Sequence, residues 1–191
     1  MRVSAVSLLC AVLLCTGLPA PRFEAGAALA HTIAQGAATP DPSIVVDSAR
    51  LARVVRGIIS YTKWPEEPAV LEVCLIGTLR HGQGLETALP QTPGRALRLR
   101  PVARVDAEAM AGCHAAYIGE ISAEEQDKLR LLTQPLLTLR EHDPLCRSGS
   151  MFCMRFAEKR ISFDLNIDAV ARSGLRVDPK VLLLGYRADR P

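Results

Sequence analysis

The order of the short apolar runs constrains the fold of this chain more than any other feature. Leu71-Glu-Val-Cys-Leu-Ile76 and Ala115-Ala-Tyr-Ile118 read as strands, and each is closed at once by a glycine, Gly77 and Gly119. Helical stretches lie between and after them: Gly82 to Leu89, Asp106 to Gly112, and a segment opened by Ser122-Ala-Glu-Glu and running to about Leu132. The last begins with a capping box, a serine followed three residues later by a glutamate. Strands that alternate with helices pair in parallel through crossover connections, with helices on both faces of the sheet.

The flanking segments extend this pattern. Ile44 to Ile59 places Val45, Val46, Ala49, Ala52, Val55, Ile58 and Ile59 at helical spacing, with Ser43 as a cap. That helix should stop near Trp64-Pro65, because proline disfavours helix in the residue before it. Trp64, the only tryptophan, should pack the helix end against the core. Ala96 to Val102 alternates apolar and basic residues and reads as a strand exposed on one face, and Pro135 to Leu139 is another strand. His142 to Ser150 is a polar loop. Met151 to Phe156 and Ile161 to Leu165 form a hairpin about Ala-Glu-Lys-Arg. Ile167 to Ser173 is a helix stopped by Gly174, and Asp178-Pro179 caps a last helix reaching Leu184. The expected fold is an α/β three-layer sandwich, with a mostly parallel sheet of about six strands and an antiparallel C-terminal hairpin.

Six cysteines divide into two sets. Cys10 and Cys15 fall in an apolar N-terminal run, Val6 to Leu18, preceded by Arg2 and followed by small residues. The run is shorter than the roughly 20 apolar residues of a spanning helix and is interrupted by Gly17 and Pro19, so it reads as a secretory signal. Ala28-Leu29-Ala30 is a suitable cleavage site, with Ala25-Gly26-Ala27 as an alternative; the first makes residues 1–30 a signal peptide, residues 31–42 a disordered leader and residues 43–191 one domain. Removal of Arg2, Arg22 and Glu24 lowers the formal charge from +3 to +2, no footprint for nucleic acid. Cys74, Cys113, Cys146 and Cys153 then enter an oxidising compartment, where they should pair. Four cysteines allow three connectivities, and sequence does not choose among them. A Cys146–Cys153 bridge would pin the Arg147–Phe152 loop; Cys74 lies in one strand and Cys113 immediately before another, and the two strands would be neighbours in a parallel sheet.

Candidate chemistry is sparse. His142-Asp143 with Cys146 and Cys153 fits no zinc spacing, and oxidised cysteines cannot ligate. Gly77 and Gly82 share part of a P-loop frame, but Gln83 stands where the phosphate lysine belongs. Ser148-Gly-Ser150 lacks a nucleophile-elbow frame. Glu124-Glu125 opens a helix, where acidic residues favour the dipole. His81 and His114 have no evident partner and read as surface or turn residues. No metal or cofactor is expected, and a binding function is favoured over an enzymatic one.

Ser60-Tyr-Thr-Lys-Trp-Pro65, the strand with Cys74, Gly112-Cys113-His-Ala-Ala-Tyr117-Ile-Gly, Cys146-Arg-Ser-Gly-Ser-Met-Phe-Cys153, and Phe163-Asp-Leu-Asn166 followed by Ala171-Arg-Ser-Gly174 together resemble the YfiR family of periplasmic proteins. The resemblance covers about residues 45–185. It implies bridges Cys74–Cys113 and Cys146–Cys153, and a tendency to dimerise. It also implies repression of YfiN, an inner-membrane diguanylate cyclase, by binding of its periplasmic domain. The repression would be relieved by YfiB, an outer-membrane lipoprotein, with cyclic di-GMP and biofilm as the output. Asp164, Val170, Arg172, Leu182, Leu183 and Leu184 match the partner-binding region. Lys63 and Arg176 match basic residues lining a small surface pocket, and Asp178 stands where a relative carries a basic side chain. The rival reading is a periplasmic solute-binding α/β domain, which would show a deep pocket with converging polar groups.

Overall fold

The computed structural model describes residues 42–157 and 160–187, with no account of the side chains of 42–47, 186 and 187. The expected signal peptide, its cleavage site and the leader lie outside the described residues.

Helix α1 (Pro42–Ser60) begins ahead of the apolar run but ends short of the stop expected at Trp64-Pro65, because Thr62 and Lys63 pair as a strand instead. It starts one residue before Ser43, with the proline in the first turn, where a missing N–H costs nothing. Leu51, Ala52, Val55, Ile58 and Ile59 are buried along one stripe, and full burial of each larger side chain contributes about 1.5–3 kcal/mol before entropy is subtracted. The helix ends at Ser60, and the chain turns directly into a two-residue strand, β1 (Thr62–Lys63). Trp64 follows, buried as expected, with its indole N–H donating to the His114 carbonyl at 3.0 Å.

The main sheet comprises β2 (Leu71–Ile76), β3 (Leu97–Val102), β4 (Ala115–Ile118), β5 (Leu137–Arg140), β6 (Phe152–Ala157) and β7 (Arg160–Leu165). Its order is β3-β2-β4-β5-β6-β7, with every pairing parallel except β6 with β7. This is the mostly parallel sheet with a terminal antiparallel hairpin that the sequence pattern implies. Alternate residues of each strand feed two cores. Leu71, Val73, Leu75, Ala115, Tyr117, Leu137 and Leu139 pack with α1 and with α2 (Leu85–Gln91), whereas Cys74, Ile76, Ala116 and Ile118 pack with Met110 and with Leu129 of α3 (Ala123–Arg130). The strand order reverses direction after β3, and right-handed crossovers on either side of that reversal put α2 and α3 on opposite faces.

Three local expectations change. Residues 106–112 form turns rather than a helix; the Asp106 carboxylate accepts the Ala109 N–H at 2.7 Å, a local bond that competes with helix. The helix at Gly82 is a short 3₁₀ turn, Gly82–Gly84, that continues as α2 through Pro90 to Gln91. The last helix likewise starts as a 3₁₀ turn, Pro179–Val181, capped by Asp178, before α5 (Leu182–Arg187). A second sheet that the sequence pattern does not show pairs β1 with β8 (Arg176–Val177), antiparallel, Thr62 opposite Val177 and Lys63 opposite Arg176.

The carboxyl ends of β2 and β4 mark the topological switch of the sheet, where open α/β folds usually hold ligands. Here backbone closes the crevice. Thr78 and Glu120 exchange two hydrogen bonds, of 3.0 and 2.9 Å, and the Gly119 N–H donates to the Ile76 carbonyl at 2.9 Å. A Cβ at Gly77 would stand 2.3 Å from the Glu120 carbonyl oxygen, and one at Gly119 would stand 2.2 Å from that of Thr78. The two strand-closing glycines are what let the loops meet.

Beside that seam lies Glu141, fully buried at the end of β5. Its carboxylate accepts the backbone N–H groups of Arg80 (2.8 Å), His81 (3.1 Å) and Gly82 (2.7 Å), and the Tyr117 hydroxyl (2.9 Å). Consecutive N–H groups of a glycine-bearing loop form an anion nest of the kind that holds phosphate elsewhere. In this chain an internal carboxylate occupies it. Burial first, and then the Glu141 charge and hydrogen bond, hold the Tyr117 phenol well above its ordinary value. A raised folded-state value stabilises the protein fully below about pH 10 and loses that contribution as the pH climbs through it. Urea unfolding at pH 9 and pH 11 should therefore show stability falling with pH. Tyr117→Phe should flatten that fall while lowering stability at neutral pH by about 1.5–3 kcal/mol, the worth of a hydrogen bond to a charged group.

Candidate functional site

The residues that the resemblance singles out gather around the β6–β7 hairpin and the segments that follow it. The chain crosses from β5 to β6 through residues 141–151 without a helix, which is short for a parallel connection. It is held by three devices. Glu141 anchors its start, and Cys146 is bridged to Cys153 across seven positions. The Asp143 carboxylate accepts the N–H groups of Arg147 (3.0 Å) and Ser148 (2.8 Å). Burial would raise the Asp143 value, but the Ser148 hydroxyl, the two amides and the Arg140 charge together bring it below the ordinary aspartate range. Cys146 itself sits at φ 50°, a backbone conformation uncommon for a residue with a side chain.

The loop is tied to α4 (Ile167–Arg172) by one residue. Asn166 donates its side-chain N–H to the Cys146 carbonyl (3.3 Å), donates its backbone N–H to the Met151 carbonyl (2.8 Å), and accepts the Ala169 N–H (3.0 Å) as the cap of α4. The bridge, the loop and the start of α4 thus share one hydrogen-bonded centre. Asp164 on β7 pairs with Arg155, whose guanidinium also donates to the Pro144 carbonyl at 2.9 Å. Arg172 pairs with Asp168 one helical turn away, both well exposed. Val170 and Leu184 are half-buried against the core, and Leu184 rests on α1 where Gly57 leaves room for it. Leu182 and Leu183 are about half exposed, and Ile167 is 75% exposed. Ile167 was not singled out from sequence; an isoleucine directly after a helix cap, where the core stripe has not begun, is the signal that could have found it.

Lys63 lies on the rim of a cavity of about 740 Å³, but Arg176 and Asp178 do not line it. Arg176 is the cross-strand neighbour of Lys63, and Asp178 accepts the Lys180 N–H at 2.9 Å as a cap. The other bridge, Cys74–Cys113, spans 39 positions at the margin of the second core, with Arg100 laid over both sulfurs. His114, read from sequence as lacking a partner, has one: its Nδ1 accepts the Glu72 N–H at 3.0 Å. Burial lowers its value despite Glu72, with Arg95 adding to the effect, which keeps the ring neutral and Nδ1 an acceptor. His81 is exposed and stacks on Phe156. Asp143, Cys146 and Cys153 bring potential ligand atoms within 4.8 Å of one another, but the two sulfurs are bonded to each other. No described helix is long and apolar enough to cross a membrane.

Fold and site together define a disulfide-pinned α/β domain whose usual ligand crevice is closed by its own backbone and whose C-terminal elements present apolar side chains to solvent. The chain belongs to the YfiR/HmsC-like family, whose profile matches residues 48–186. That is a regulatory family, and membership points to control of cyclic di-GMP signalling in the periplasm, a compartment in which two disulfides are stable.

Proposed function

We propose that this protein is a periplasmic repressor that binds the periplasmic domain of a YfiN-like membrane diguanylate cyclase and holds it inactive, until a YfiB-like outer-membrane lipoprotein takes the repressor away. The observation that carries this reading is the exposure of Ile167, Leu182 and Leu183 beside a hairpin fixed by the Cys146–Cys153 bridge. Large apolar side chains left in water on rigid elements are what a protein partner covers. Asp164 and Arg172 add charge at the margin, and the homodimer implied by the resemblance would be the acting form.

The test is capture from detergent-solubilised membranes. Wild-type protein should retain a diguanylate cyclase, and Leu182→Asp with Leu183→Asp should weaken retention about tenfold or more. These positions are exposed, so the melting temperature should stay within a few degrees of wild type. Equal retention by the variant, or no cyclase in either eluate, would overturn the reading.

A further inference from the structure

The cavity beside Lys63 has a composition that repression through α4 and α5 does not explain. Four cationic side chains line it, Arg53, Arg56, Lys63 and Arg95, against a single carboxylate, Glu67. Glu67 is already committed to Arg95, at 2.6 Å. Arg56 is the unusual member. It projects from the buried stripe of α1 with only 7% of its surface exposed. Its guanidinium donates to two carbonyls, of Leu89 (2.7 Å) and Arg95, but to no carboxylate, and its Nε is buried without a hydrogen-bond partner among the described residues. A buried guanidinium held only by carbonyls keeps its full charge uncompensated, an expensive arrangement unless an anion completes it.

The hydroxyl groups around the cavity narrow the ligand class. Ser60, Thr62 and Thr92 each donate to a carbonyl of their own chain segment, of Gly57 (2.7 Å), Ile58 (2.9 Å) and Ala88 (3.0 Å). Their protons are spent, which leaves the cations as the donors. A group that only accepts and carries more than one negative charge matches this lining, and arginine forks suit phosphate oxygens in particular. The volume, about 740 Å³, is that of a site for a small metabolite. We infer that this cavity binds a soluble phosphorylated metabolite, with Arg56 as the buried anchor and Arg53 and Lys63 closing on the phosphate from the rim.

Isothermal titration of the purified protein with sodium pyrophosphate, at ionic strength fixed with sodium chloride, tests this. The expected result is one saturable site per chain, weakened about tenfold or more in Arg53→Gln with Lys63→Gln. Both side chains are exposed, so the double variant should keep the wild-type melting temperature. Heats that do not saturate, or saturable binding that the double variant leaves unchanged, would overturn the inference. So would flotation with phosphatidylglycerol vesicles in the absence of any pyrophosphate response, since the charge would then serve a lipid surface.

Discussion

Glu141→Ala should destabilise this protein by about 4 kcal/mol, more than any other single side-chain truncation outside the apolar core. The substitution leaves four donors facing a hole: the N–H groups of Arg80, His81 and Gly82 and the Tyr117 hydroxyl. Each buried donor left without an acceptor costs about 1–3 kcal/mol, and the Arg80 and His81 amides, nearest the surface, recover part of theirs from water. For a domain of this size the midpoint of thermal unfolding should fall by roughly 10 °C. Glu141→Gln separates charge from shape. It keeps the volume but replaces one acceptor oxygen with a donor aimed at donors, so it should lose a substantial part of the same stability. Thermal unfolding followed by circular dichroism gives both numbers. A Glu141→Ala protein as stable as wild type would show that the loop at Gly82 finds other partners, and that the carboxylate does not hold the seam between β2, β4 and β5.

The two bridges should differ in what they contribute. On the loop-entropy account a bridge stabilises by shortening the unfolded chain, and the effect grows with the logarithm of the loop. The Cys74–Cys113 bridge closes a loop across 39 positions and the Cys146–Cys153 bridge one across seven. Opening the first by Cys74→Ala with Cys113→Ala should cost about 4 kcal/mol, and opening the second by Cys146→Ala with Cys153→Ala about 2.5 kcal/mol. Denaturant unfolding in urea orders them. The functional cost should run the other way. The short bridge shares Asn166 with the start of α4, so its loss should weaken capture of the cyclase, while loss of the long one should leave capture intact at a temperature where the variant stays folded. A short-bridge variant that captures normally would reduce that bridge to scaffolding.

Much of the layer architecture is legible in the sequence, because strand runs closed by glycines and a capping box are local signals. Leu71–Ile76, Ala115–Ile118 and the hairpin emerge where the residues place them, and their order fixes the layers. What is not legible depends on distant backbone. Glu141 follows a strand and begins a polar loop, so its local pattern is that of a solvated residue; only the amides some 60 positions earlier make its burial affordable. Arg56 is hidden in the same way, a cation on the core stripe of α1 whose carbonyl partners come from α2 and the approach to β3. The β1–β8 pair is two residues long on each side and carries no periodicity to read. The resemblance groups Lys63 with Arg176 and Asp178; the cavity that also borders Lys63 is lined by Arg53, Arg56 and Arg95, which no local motif brings together. The disulfide pairing that the resemblance implies, Cys74–Cys113 and Cys146–Cys153, is the pairing the structure contains.

That pairing has a topological consequence. The four cysteines are joined in chain order, first to second and third to fourth, so the two rings lie one after the other, neither nested nor interlocked. A chain threading into an oxidising compartment from its N-terminus presents Cys74 and Cys113 as a complete set before Cys146 arrives. Vectorial delivery and native connectivity agree at every step, and either ring can open and reseal without unthreading the other.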